Sequence, residues 1–107
     1  MFNSIMNDNQ GTVDNWIAVI EVVKAVKSKI TIDTDLLWTN YNSVEELISE
    51  INLIENLLTD HNKQGLQFLG FLFAPTGTLQ EISMQNDWIQ EYLNWSLKFD
   101  ELYEKLK

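Results

Sequence analysis

The sequence predicts an all-α protein, a small single-domain helical bundle. Three observations lead there. The chain has 107 residues, the size of one domain with one core. Three long stretches place apolar residues at three- and four-residue spacing, the signature of an amphipathic helix. Two Ser/Thr-x-x-Glu segments, Ser43 to Glu46 and Thr78 to Glu81, match the box that opens a helix. The rival is an α+β fold with a hairpin near residues 66–84, where the apolar run lacks a decisive period.

Residues 1–11 are mostly polar and end at Gly11, so they read as a flexible arm ahead of a helical domain over 12–107. Thr12 or Asp14 can cap a first helix running to about Lys29. Trp16, Val19, Ile20, Val23, Val26 and Ile30 share one arc, widened by Val13 and Ile17, so this helix should be packed on several sides. Its β-branched residues favour strand, but its length favours helix. Ile30 to Asn42 is a connector, with Leu36, Leu37 and Trp38 expected as one helical turn against the core. Ser43 then opens a second helix to about Thr59. Its hydroxyl should take the Glu46 amide, and the Glu46 carboxylate should return to the Ser43 amide. Val44, Leu47, Ile48, Ile51, Ile54 and Leu58 form the stripe.

Asp60 to Gly65 is a polar break, and Leu66 to Ala74 is a short buried helix or strand. Pro75-Thr76-Gly77 is a turn. Thr78 should cap one or two helical turns through Gln85, the hairpin being the alternative. Asn86 or Asp87 opens the last helix, which ends near Leu106. Trp88, Tyr92, Trp95, Phe99, Leu102 and Leu106 lie on its core face. On its outer face, Glu101 and Lys105 are spaced to pair.

Composition excludes most familiar chemistry. Sixteen acidic residues stand against seven lysines, a formal charge of −9, with one histidine and neither cysteine nor arginine. Without cysteine there is no disulfide, no Cys-ligated zinc and no thiol nucleophile, which suits the cytoplasm. The acidity repels nucleic acid and anionic lipid, and arginine, the usual reader of phosphate and guanine, is missing. No apolar run is long enough to span a membrane, and the first ten residues do not resemble a secretory signal. The Ile-, Asn- and Lys-rich, Arg-free composition is typical of AT-rich coding sequence, as in a low-GC bacterium or its phage.

His61 is the one imidazole. Flanked by Asp60, Asn62 and Lys63, it reads as part of a solvated helix end rather than a relay or a metal ligand. No Glu-x-x-His pair suggests a di-iron site, and Asp33-Thr34-Asp35 does not continue as a calcium loop. Pro75 to Thr78 lacks the glycines and lysine of a phosphate loop. Catalytic, cofactor and metal residues are therefore expected to be absent, and the chain is read as a non-enzyme.

What remains is binding. On the second helix Leu53 and Leu57 lie off the main stripe, near Glu46 and Glu50. On the last helix Leu93 and Leu97 drift toward Asp100 and Glu104. Apolar spots rimmed by acids have the anatomy of a surface that docks a basic protein. The expected function is an immunity- or antitoxin-type inhibitor of a basic partner such as a toxin or nuclease. The alternative is a self-associating structural module, a homo-oligomer held by surplus apolar surface.

Overall fold

The structure, a computed structural model, describes the backbone over residues 2–107 and side chains from Gln10 onward. Among the described residues there are five helices and no strand: α1 (Phe2–Ser28), α2 (Val44–Thr59), α3 (Lys63–Leu72), α4 (Thr78–Gln85) and α5 (Ile89–Leu106). Each helix packs on its chain neighbours, and α5 closes back on α1. The result is a closed ring of helices around one core, with short connections everywhere except the long connector between α1 and α2.

The predicted stripes supply that core. Trp16, Val19, Val23 and Val26 of α1, Leu47, Ile51, Ile54 and Leu58 of α2, and Tyr92, Phe99, Leu102 and Leu106 of α5 are all buried. The wide arc of α1 is explained by its two neighbours, α2 on one side and α5 on the other. Lys27 adds a polar tie between α1 and α2, 2.8 Å from the Asn52 side chain and 3.3 Å from Glu55. Helix α1 begins at Phe2, not at Thr12, so Gly11 and Thr12 lie inside it. Most of the arm expected over residues 1–11 falls where side chains lie outside the described residues.

The run from Leu66 is helix as far as Leu72, with Phe73 as its C-cap, and the hairpin alternative is not supported. The preceding break is only Asp60 to Asn62, because the Asn62 side chain accepts the Gln64 amide and starts α3 early. Gly65 is consequently a buried helical residue. A β-carbon there would lie 3.0 Å from both Leu57 Cβ and Leu58 Cδ2, so the close approach of α2 and α3 requires glycine.

The turn between α3 and α4 runs from Ala74 to Gly77, closed by a 2.8 Å bond from the Gly77 amide to the Ala74 carbonyl. Pro75 takes its second position, and Thr76 at φ 58° takes the left-handed third position of a type II turn. Gly77, not Thr78, is the residue that caps α4, and no side chain caps it. The Gln80 side chain instead accepts the Thr76 amide at 2.8 Å, so it stabilises the turn rather than the helix start.

Helices α2 and α4 end alike. After α2, His61 stands at φ 54°, its amide bonded to Leu58 O and the Asn62 amide to Leu57 O. After α4, Asp87 stands at φ 65° and the Trp88 amide returns to Ser83 O. Both are Schellman-type ends with a non-glycine residue in the left-handed position. The second one decides where α5 starts: Trp88 sits at its N-cap, and neither Asn86 nor Asp87 opens it.

The connector departs from expectation at Leu36 to Trp38. It forms turns, with the Leu37 amide on the Asp35 carboxylate and the Thr39 hydroxyl on Leu36 O. Such local bonds compete with helix. Only Leu36 packs on the core, while Leu37 and Trp38 remain more than 70% exposed.

Candidate binding groove

The two sequence-predicted patches fare differently. On α2 the acids have local duties. The Glu46 carboxylate accepts the Asn42 amide at 3.1 Å, one residue earlier than the capping box implies, while Ser43 accepts the Glu46 amide as expected. The Tyr41 hydroxyl donates to Glu50. Both acids thus strap the connector to the first turns of α2, where negative charge also complements the helix dipole. Leu57 is half-buried over α3, and Leu53 stands exposed without an apolar neighbour among the exposed large side chains of α2.

On α5 the predicted residues remain on the surface. Leu97 is 70% exposed, Leu93 46%, and Asp100 and Glu104 are exposed beside them. Their spacing places all four on one flank of the helix. Glu104 pairs with Lys107 at 3.0 Å, and the pair expected between Glu101 and Lys105 does not form. Asp100 takes part in no ion pair among the described residues.

That flank borders a groove that the sequence did not reveal. Helices α3 and α5 run antiparallel here: Lys63 and Lys107 meet at one end, Gly70 and Phe99 at the other. Between them lies an open cavity of about 380 Å³, lined by Gln67, Gly70 and Phe71 of α3 and by Phe99, Asp100 and Tyr103 of α5. A smaller hollow of about 80 Å³ adjoins it toward Lys63 and Lys107. Gly70 keeps the floor low, since a β-carbon there would meet only the Phe99 ring, at 3.8 Å. Phe99 itself is held by the Phe73 ring, stacked at 5.1 Å. Phe71, by contrast, is 72% exposed at the rim.

No family model, curated protein or solved structure matches this chain.

An isolated glycine inside an apolar helical run is a signal for close approach or an open surface, and Gly70 is such a glycine. Phe71 gave no such signal, because a continuous apolar stretch does not show which member faces out. Other features carry less. His61 does not form a relay: its ring lies flat on Trp16, centroids 5.1 Å apart and planes 3° apart. Among the described residues no three His, Asp or Glu side chains gather where they could hold one metal ion, and no helix is long and apolar enough to cross a membrane. The Pro75 to Thr78 turn faces Trp38 across a hollow of about 150 Å³, but Glu81 lines that hollow too and disfavours an anion.

Proposed function

We propose that this chain is a small acidic protein-binding module, an inhibitor of the immunity or antitoxin type that neutralises a basic protein such as a toxin or nuclease in the bacterial cytoplasm. The observation that carries the reading is the α3–α5 groove, lined by exposed Phe71 and Asp100, together with the α5 flank on which exposed Leu93 and Leu97 share a face with Asp100 and Glu104. Large apolar side chains anchor protein interfaces, and acids at the rim steer a basic partner toward them. The formal charge of −9 extends that attraction over the whole molecule. Self-association has less support, because most of the apolar arc of α1 is consumed by α2 and α5, leaving chiefly Ile17 and Val13 outside.

The test is affinity capture by the wild-type chain and by a Phe71→Ser/Leu97→Ser double variant, at low and then moderate salt. Both substitutions are at exposed positions, so the variant should keep the wild-type helical spectrum and urea midpoint. One stoichiometric basic partner, held by the wild type and released by the variant, is the expected result. Equal retention by both would overturn the assignment of this flank. Recovery of the chain only as its own oligomer would overturn the inhibitor reading in favour of assembly.

A further inference from the structure

We infer that the α3–α5 cavity receives a cationic side chain, a lysine or arginine, from the basic partner. The inference rests on the reading above and names the chemical group that enters. Three aromatic residues line the cavity, exposed Phe71, half-buried Tyr103 and, largely buried at the floor, Phe99, together with one exposed acid, Asp100. Aromatic faces attract a cation held within about 6 Å, and the alkyl stem of lysine or arginine gains by covering apolar surface. A nearby carboxylate with no ion pair completes the complement.

One of these rings, that of Tyr103, already has a cation over it. Lys107 Nζ lies 5.9 Å from the centroid of Tyr103, whose ring is tilted against Phe99 at 5.8 Å. That lysine does not compete for Asp100, because Glu104 holds it at 3.0 Å. The groove is polarised as a result. Its lysines line the narrow end, while Asp100 and Phe71 line the wide one, so a cation enters beside Phe71. The absent side chain at Gly70 leaves room for the stem on the floor.

Three probes discriminate this pocket from a merely apolar groove: the N-acetyl methylamides of lysine, of arginine and of norleucine, which keeps the stem without the charge. Each is titrated into the full chain while the amide resonances of Gly70 and Asp100 are followed by NMR. Saturable shifts are expected with the lysine or arginine probe, with binding at least tenfold weaker for norleucine. Asp100→Asn should weaken the cationic probes about tenfold and leave norleucine unaffected. Phe71→Leu, which keeps apolar area but removes the ring, should weaken them several-fold. Equal binding of norleucine, or no saturable shift with any probe, would overturn the inference. If a partner is captured through the flank while the probes fail, the pocket assignment falls and the binding role stands. If the probes bind while no partner is captured, the reverse holds.

Discussion

Asn86 and Asp35, 51 residues apart in the chain, are joined through both main-chain groups of Asp35. The Asn86 carboxamide oxygen accepts the Asp35 amide at 2.9 Å, and its nitrogen donates to the Asp35 carbonyl at 3.1 Å. The same nitrogen donates to Ile82 O at 2.8 Å at the end of α4. One side chain thus fastens the connector between α1 and α2 to the junction of α4 and α5. It satisfies the amide and carbonyl of Asp35, which lie outside every helix.

Asn86→Ala should therefore destabilise the fold by about 1–2 kcal/mol, since three partly exposed bonds are lost and their partners regain water. Asn86→Asp should do at least as much, because a carboxylate keeps the acceptor but turns negative charge toward two carbonyls. Urea midpoints with unchanged m-values would report both. A midpoint unchanged on Asn86→Ala would show that the connector holds without this clamp.

His61 combines a left-handed backbone with a ring stacked on Trp16. The two effects oppose each other on substitution. His61→Gly removes the stack but relieves the left-handed conformation, each worth about 1 kcal/mol, so its stability should stay near wild type. His61→Ala loses the stack without that relief and should be about 1 kcal/mol less stable than His61→Gly. Thermal or urea unfolding of the pair checks the order, and alanine at or above glycine would contradict it.

The two acidic patches should respond differently to charge reversal. Glu46→Lys/Glu50→Lys removes the Asn42 and Tyr41 bonds and sets positive charge at the start of α2. Its expected cost is about 1–2 kcal/mol of stability. Asp100→Lys/Glu104→Lys breaks only the surface pair with Lys107, and its urea midpoint should stay near wild type. Its effect should appear as slower association with a basic partner, most marked at low salt.

Tyr92 gives the fold an alkaline limit. Burial raises its phenol above the ordinary value of 10.0; the Ser96 hydroxyl works in the opposite direction and Asp100 adds to the rise. The hydroxyl donates to Phe73 O at 3.3 Å between α3 and α5. A phenol raised on folding favours its neutral form in the folded state. Its contribution is therefore complete below the unfolded value near 10 and is lost as pH rises through the folded one. Tyr92→Phe should cost about 1 kcal/mol near neutrality, and the gap from wild type should close above pH 10. Urea unfolding of both chains from pH 7 to 11 tests the sign.

The helical stripes were readable because their period is local. Leu47 to Leu58 and Tyr92 to Leu106 declare one face by three- and four-residue spacing, whatever they pack against. The Ser43 cap was readable for the same reason, its bond spanning a single turn. Composition likewise determined by itself that no thiol or guanidinium chemistry is available to the chain. Other features were decided only by tertiary structure. Whether residues 63–72 became helix or strand depended on docking against α2 through Gly65, since their apolar run has no clear period. That Glu46 and Glu50 are occupied depended on the path of the connector, and that Asp100 borders an aromatic groove depended on α3 lying antiparallel to α5. A period records which side of a helix is buried, whereas a groove exists only once two helices have met at a definite angle and spacing.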